Sequence, residues 1–279
     1  MSDNGLLKAY ENLEFLHSPQ ARPIRVLCEM TEPSNRFRKH QVYNTIVFFG
    51  SARTPSREQA QREWDQLEQQ DPAAFPDKQA YEQARRLARA NLKLSHFYED
   101  ARTLARRLVE WSAQIEEPRK RFTICSGGGP GMMEAANRGA VEAGGDSIGL
   151  NISLPFEQEP NAFQTDGLSM EFHYFFVRKF WFFYLAKAIV VFPGGFGTFD
   201  ELFELLTLVQ TRKTQKYMPI LIFGREFWDS VVDFNALVDW GVISPEDLDL
   251  FKFCDDVDSA FDYLRHELTR HYVNTESRH

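Results

Sequence analysis

Short apolar runs alternate with longer amphipathic stretches along most of this chain. The apolar runs predict strands at 45–49, 121–125, 147–152, 171–175, 188–192 and 219–223. Apolar positions at helical spacing predict helices at 132–143, 178–186, 198–211, 227–240 and 256–270. Strands that alternate with helices are typical of the α/β class. The pattern therefore predicts a Rossmann-like, doubly wound parallel sheet with helices on both faces.

Two segments depart from this alternation. Residues 1–40 carry scattered charges, prolines at 19 and 23, and no sustained apolar period, so we expect an N-terminal extension that packs on the main body or on a neighbouring subunit. Residues from about 55 to 118 are charged, with leucines at helical spacing, and predict a helical insert that breaks near Asp71-Pro72 and Phe75-Pro76. The remaining residues, 41–275, predict one domain that contains this insert.

Composition and charge narrow the possible classes of function. A chain of 279 residues with 43% hydrophobic content can bury a full core. The net charge of −8 provides no overall attraction to nucleic acid, so we expect a small anionic ligand rather than a polymer. The three cysteines are far apart and form no C-x-x-C pair, which predicts reduced thiols rather than a disulfide framework or a zinc site.

Targeting and metal-binding patterns are also missing from the sequence. The most apolar window, residues 174–196, contains Arg178, Lys179 and Lys187, which argue against a membrane span. The N-terminus shows no charged-then-apolar signal pattern, so a cytoplasmic protein is expected. The seven histidines show no metal-ligand spacing, and we predict no metal.

Three glycine-bearing turns follow predicted strands, at 50–53, 126–131 and 193–197. In a doubly wound sheet, ligands bind beyond the carboxyl ends of the strands, where these turns lie. Neither of the two longer turns completes G-x-G-x-x-G, because that frame ends on Met132 in one and on Asp200 in the other, and the chain has no Gly-Lys pair. Dinucleotide binding and a Walker loop are therefore disfavoured, and no cofactor is predicted. Glycine is also common in such turns for tight packing alone, which is the simpler alternative for 127–131.

The turn 193–197 has the composition of a phosphate site. Its glycines allow close backbone approach, and a helix predicted to begin near Thr198 would offer free amides and its positive dipole end to an anion. Glu201 lies one turn inside that helix, too close to a bound dianion to serve charge matching alone.

Arg178 and Lys179 follow a predicted aromatic strand and could face the same ligand, although solvated side chains remain the alternative. The aromatic run 180–183 is assigned to a subunit interface.

These motifs together resemble the LOG family, the phosphoribohydrolases named for cytokinin activation. The family's hallmark, P-G-G-x-G-T-x-x-E, is matched at every fixed position by residues 193–201, and its upstream arginine-lysine pair by Arg178-Lys179. Residues 128–140 also resemble the first glycine loop of the longer bacterial members. The resemblance covers roughly residues 43–225, and the N-terminal 40 residues and the helical insert depart from the shorter members.

The resemblance implies hydrolysis of the N-glycosidic bond of a nucleoside 5′-monophosphate, either AMP-like or a cytokinin riboside monophosphate, to a free base and ribose 5-phosphate. Some members of the family were once labelled lysine decarboxylases. Decarboxylation needs an electron sink such as a lysine-bound pyridoxal phosphate, for which this sequence shows no recognisable site.

The resemblance also implies roles for particular residues. Glu201 would stabilise the oxocarbenium-like C1′ and activate water, and Arg178 would position it. The 5′-phosphate would be held by the turn and the helix start, at Gly194, Gly195, Phe196, Gly197 and Thr198. The ribose and base side would comprise Ser51, Gly128, Gly129, Gly131, Met132, Glu134 and Lys179.

Two other functions fit the same motifs. Molybdenum-cofactor carriers share this fold and a similar glycine turn, and such a protein would bind a phosphorylated ligand without turning it over. The second alternative is a nucleotide-sensing module whose site is inactive. The resemblance further implies a homodimer or a higher homo-oligomer.

Overall fold

A computed structural model, which describes residues 7–155 and 159–275, contains a seven-stranded parallel sheet. Its strands are β1 Thr45–Phe49, β2 Thr123–Ser126, β3 Ser147–Ile152, β4 Ser169–Phe172, β5 Ala186–Val191, β6 Ile220–Phe223 and β7 Lys252–Cys254. They lie in the order β4-β3-β2-β1-β5-β6-β7. The chain runs outward from β1 to β4 and then returns to β5 beside β1, which confirms the doubly wound parallel sheet. The short edge strand β7 was not predicted.

Ten helices accompany the sheet in the described residues, and they cover both of its faces. They are α1 Leu13–His17, α2 Arg22–Lys39, α3 Arg57–Glu68, α4 Lys78–Ala113, α5 Met132–Glu142, α6 Phe175–Tyr184, α7 Phe196–Gln210, α8 Arg225–Val231, α9 Phe234–Asp239 and α10 Val257–Leu268. Within these same ranges, no helix is long and apolar enough to cross a membrane.

The central strand β1 shows how the two cores form. Its side chains point alternately to opposite faces, so Ile46 and Phe48 join a core with α4, α5 and α10. Val47 and Phe49 join a second core with α2, α6 and α7. All five residues of β1 are buried, as expected for a strand covered on both faces. Helices therefore cover β1 and its neighbours on both faces of the sheet.

Several predicted boundaries differ from the structure, and three of these differences change how the helices are arranged. The helix predicted at 227–240 is interrupted, because Val232 is extended and Asp233 caps α9 by accepting a hydrogen bond from the amide of Ala236 at 3.0 Å. Helix α7 begins at Phe196, two residues earlier than predicted. Strand β4 ends at Phe172 and α6 begins at Phe175, so Arg178 and Lys179 lie inside a helix rather than at a strand end.

The N-terminal segment is more regular than its sequence pattern predicted. Helix α2 runs for 18 residues through Pro33 and packs against α6. The Glu29 carboxylate accepts hydrogen bonds from the amides of His173 and Tyr174, and the Trp181 ring nitrogen donates to the Glu29 carbonyl at 2.9 Å. Helix α2 therefore braces the element that carries Arg178. Residues 1–6 of the predicted extension lie outside the described residues, and the domain division at residue 40 stays a prediction.

The segment predicted as a helical insert forms α3 and α4, separated by a 3₁₀ turn at Pro72–Ala74 close to the predicted break. Helix α4 packs along α5 and beneath the sheet. The Tyr98 hydroxyl on α4 donates to the Glu134 carboxylate on α5 at 2.7 Å. The longer helix of the insert thus supports α5, the helix that follows the second glycine loop of this chain, residues 127–131.

Candidate active site

The principal cavity lies where the order of the strands reverses. The loops after β1 and β5 meet there, and the Ser51 amide donates to the Pro193 carbonyl at 3.0 Å. Such a reversal opens a crevice at the carboxyl ends of the strands, which is the usual ligand site of this architecture. The cavity has a volume of about 780 Å³ and is lined by Phe49, Gly50, Ser51, Ala52, Arg53, Gly127, Met133, Ile152, Leu154, Phe175, Arg178, Phe182, Gly195, Phe196, Gly197, Thr198, Phe199, Glu201 and Val231.

One wall of the cavity is the first turn of α7. Gly195 precedes the helix, and the amides of its first residues have no partner earlier in the helix. A Cβ atom added at Gly195 or Gly197 would meet no described heavy atom within 4 Å, so there is space beside this backbone. Thr198 is buried at the same end. The arrangement is suited to binding a phosphate group.

A buried carboxylate and a buried guanidinium face each other next to that turn. The Arg178 Nη2 and Glu201 Oε1 atoms are 3.9 Å apart, and the two side chains are 13% and 7% exposed. Glu201 Oε2 and Arg178 Nε have no hydrogen-bond partner within the described part of the chain. A buried polar atom without a partner is costly, so both groups have capacity to bind a ligand or water in the cavity.

Burial dominates the ionisation of this pair. It raises the pKa of Glu201 to about 7, against an ordinary value of 4.5, and the nearby cations of Arg178 and Lys179 offset only part of the rise. Burial also lowers the pKa of Arg178, an effect that the carboxylates of Glu201 and Asp200 oppose. A carboxyl group with a pKa near neutrality can take up and release protons under physiological conditions.

Aromatic rings fix the direction of the Arg178 side chain. Its guanidinium carbon lies 5.1 Å from the centre of the Phe175 ring and 5.5 Å from that of Phe182. Cations are attracted to the faces of such rings. Arg178 is therefore directed toward the carboxylate.

Most of the second glycine loop, 127–131, lies outside the cavity wall and contacts the turn after β1. Gly127 lines the cavity, but Gly128, Gly129, Gly131 and Met132 do not. Gly131 has a φ of +69°, and a Cβ atom there would lie 2.4 Å from the Ser51 carbonyl oxygen, which also accepts a hydrogen bond from the Met132 amide. Glycine at 131 thus allows the two loops to touch.

Two more of the residues predicted for the ribose and base lie elsewhere. Glu134 is hydrogen-bonded to Tyr98, and Lys179 pairs with Asp200 and Glu204. Of that predicted set, Ser51 alone lines the cavity, whereas the predicted phosphate and catalytic residues lie together around it, with the exception of Gly194. Their ligand-binding roles stay predictions.

A cluster of amide side chains holds the second glycine loop and was not predicted. The Asn161 side-chain amide donates to the carbonyls of Gly128 and Gly129 at 3.0 and 2.9 Å, and Gln164 donates to Gly128 at 2.8 Å. Asn161 also donates to buried Asn137 on α5. Amides far apart in sequence leave no pattern of spacing, so only the fold reveals this cluster.

Other cavity residues were also missed by the sequence analysis. Arg53 closes the turn after β1, and Met133, Ile152, Leu154 and Phe175 form an apolar wall. Arg53 had a signal, since it follows Gly50-Ser51-Ala52 at a predicted strand end. The apolar residues had none, because their composition is the same as that of core residues.

The structure is that of a Rossmann-like α/β protein with a cavity where the order of the strands reverses. A protein-family model described as "Possible lysine decarboxylase" matches residues 133–264 of the chain. The match confirms the resemblance to the LOG family, whose members once carried that label. No curated protein matches the chain.

Several solved structures are similar to this chain in part. The structural genomics target TM1055 shares 17% identity over 80% of this chain and 99% of its own, with a TM-score of 0.47. The molybdenum cofactor binding protein of the phototrophic bacterium Rippkaea orientalis shares 14% identity over 81% and 98%, with a TM-score of 0.45. A Moco carrier protein from Chlamydomonas reinhardtii shares 16% over 81% and 99%, with a TM-score of 0.40. These similarities are too low to transfer a function.

Proposed function

We propose that this protein hydrolyses the N-glycosidic bond of a nucleoside 5′-monophosphate, releasing a free base and ribose 5-phosphate. The observation that carries the proposal is the position of Glu201. Its carboxyl group is buried, lacks a hydrogen-bond partner at one oxygen among the described residues, and lines the same cavity as the first turn of α7.

In the proposed reaction, the first turn of α7 binds the 5′-phosphate and thereby fixes the distance from C1′ to Glu201. The amides of Gly195, Phe196, Gly197 and Thr198, with the Thr198 hydroxyl, are the proposed donors. Anchoring the phosphate converts a loose encounter into an oriented one.

The C1′–N bond then breaks, and its electron pair leaves with the base. Positive charge develops at C1′, where the Glu201 carboxylate stabilises it. Glu201 also accepts a proton from a water molecule as the water oxygen bonds to C1′. The departing base takes up one proton from solvent and Glu201 releases its proton to solvent, so the net reaction adds the elements of water across the bond. Arg178, held by the rings of Phe175 and Phe182, keeps the carboxylate directed at the sugar.

The principal alternative is a protein that binds a phosphorylated ligand without turnover. The buried carboxylate favours hydrolysis, because Glu201 would repel an anionic ligand that is only carried and would bring no compensating gain. A cytokinin riboside monophosphate and AMP share the phosphate and ribose that this mechanism uses.

A panel of nucleoside monophosphates tests the proposal. Purified protein is incubated with AMP, GMP, IMP or CMP, and free base is measured by chromatography. We expect base release by the wild type and a rate lower by about 10²-fold or more for Glu201→Gln, which keeps the size but removes the charge. Glu246→Gln, at an exposed position away from the cavity, is the matched control.

Two outcomes would overturn these assignments. Failure of the folded wild type to release base from any monophosphate would favour the binding protein. Full activity of Glu201→Gln would remove Glu201 from the mechanism.

A further inference from the structure

Lys179 occupies a partly buried position between α6 and α7 rather than in the cavity. Its side chain is 16% exposed, and its Nζ atom lies 2.8 Å from Asp200 Oδ2 and 2.6 Å from Glu204 Oε2. Asp200 and Glu204 are one turn apart on α7, so they form a single acceptor face for the ammonium group. The Asp200 and Glu204 side chains are 56% and 36% exposed, so the two short charge-assisted contacts lie at the edge of the α6–α7 interface, where both carboxylates hold one partly buried ammonium group.

The contacts of Lys179 lie next to those of the catalytic pair. Arg178 and Lys179 are neighbours on α6, and Asp200 and Glu201 are neighbours on α7. Arg178 faces Glu201 at 3.9 Å, whereas Lys179 reaches the carboxylates on either side of Glu201. Any shift of α7 along α6 would therefore break the Lys179 contacts and change the Arg178–Glu201 distance together.

We propose that Lys179 is a positioning residue that, with Asp200 and Glu204, clamps α6 to α7 and balances the charge around Glu201. The consequence for turnover rests on the proposed function, but the effect on Glu201 itself does not. The nucleotide is not needed for Lys179 to act.

The electrostatic part follows from the groups around Glu201. Arg178 and Lys179 from α6 favour its carboxylate form, whereas Asp200 and Glu204 on α7 oppose it. Arg53, from the turn after β1, lines the same cavity. Removing only the ammonium group leaves two negative charges unopposed, and removing only the two carboxylates leaves one positive charge unopposed. The two changes must move the protonation of Glu201 in opposite directions.

The experiment measures the ionisation of Glu201 directly. Protein labelled with ¹³C at the glutamate carboxyl carbons is titrated by NMR, and the Glu201 signal is identified by its loss in Glu201→Gln. We expect Lys179→Met to move the Glu201 midpoint up by roughly half a pH unit or more, and the double variant Asp200→Asn/Glu204→Gln to move it down by a similar amount. Lys179→Arg keeps the cation and should leave the midpoint within a few tenths of a unit of the wild type.

Opposite shifts support the proposal, and shifts in the same direction or none in the folded variants overturn it. The double variant retains Lys179 and provides the test if Lys179→Met does not fold. With AMP as substrate, the acid limb of the kcat/KM profile should move with the NMR midpoint. A wild type that releases no base but shows opposite NMR shifts would refute the hydrolase while leaving the role of Lys179 intact.

Discussion

At the scale of single residues, the burial of Glu201 shifts its pKa toward neutrality but makes its ionised form unfavourable for the stability of the fold. Burial raises the pKa of its carboxyl group to about 7, whereas the unfolded chain has the ordinary value of 4.5. Between about pH 4.5 and pH 7, the Glu201 carboxyl group therefore keeps its proton in the folded protein but loses it in the unfolded chain. Stability contributed by this proton is present below about pH 4.5 and is lost as the pH rises to about 7. Ionisation of the buried Glu201 carboxyl group therefore lowers the stability of the fold, and the ionised carboxylate is also the form that the proposed reaction uses.

The variant Glu201→Gln tests this conflict, since a glutamine has no charge to bury. We expect it to be more stable than the wild type at pH 8, by up to about 3 kcal/mol, and close to the wild type at pH 4.5. Chemical denaturation at both pH values measures the difference. A wild type that is more stable than Glu201→Gln at pH 8 would show that the contact with Arg178 outweighs burial.

The sequence was informative about residues whose chemical type fits one task. Glycines before a helix, a threonine at its start and a glutamate one turn later predicted the positions of Gly195, Thr198 and Glu201 around one cavity. The sequence did not predict the contacts of Lys179, because an arginine-lysine pair has the same pattern whether both cations face a ligand or one faces two carboxylates. The difference depends on the packing of α6 on α7, which no spacing within one segment encodes.

At the scale of elements, the start of α7 depends on close contact with the glycine turn. A Cβ atom at Gly194 would lie 2.1 Å from Thr198 Oγ1, far inside van der Waals contact, whereas one at Gly197 would meet open space. We expect Gly194→Ala to lower the free energy of unfolding by about 1–3 kcal/mol. Gly197→Ala should be neutral or slightly stabilising, because alanine favours the helix.

Thermal unfolding of the two variants gives the comparison, with inorganic phosphate binding as the second measurement. Gly194→Ala should also weaken phosphate binding, since it displaces the first turn of α7. Equal stability of the two variants would contradict the close contact seen between Gly194 and Thr198.

Element types were easier to predict than element ends. Apolar runs predicted six strands of the sheet, but the aromatic residues around 173–176 led to a strand that was too long and a helix that started too late. Phe175 belongs to α6, where its ring stacks on Arg178. Aromatic side chains are enriched in strands, so the local pattern favoured a strand over residues that in the structure begin α6.

At the scale of the whole molecule, α6 has two faces with different environments. Trp181 and Phe182 are buried in the core, whereas Phe176, Phe180 and Tyr184 are 62%, 38% and 57% exposed and lie four residues apart. The Phe180 and Tyr184 rings stack at 5.0 Å. An exposed aromatic stripe of this kind is typical of a protein interface.

The family resemblance and this stripe lead us to expect a homodimer or a higher homo-oligomer in solution. Light scattering of the wild type should give at least twice the mass of 32.4 kDa for one chain. Phe180→Glu should shift the protein toward the monomer, because an interface core rejects an unpaired charge. Leu87→Glu, at an exposed apolar position on α4, is the matched control. A monomeric wild type would contradict the expectation.

The hydrogen bond between the Ser51 amide and the Pro193 carbonyl has a consequence for the time course of folding. It joins two residues roughly 140 positions apart, and closing so long a loop carries an entropic cost. During synthesis, the turn after β1 leaves the ribosome long before the turn after β5 exists. The cavity therefore cannot acquire its native geometry before the turn after β5 has been synthesised.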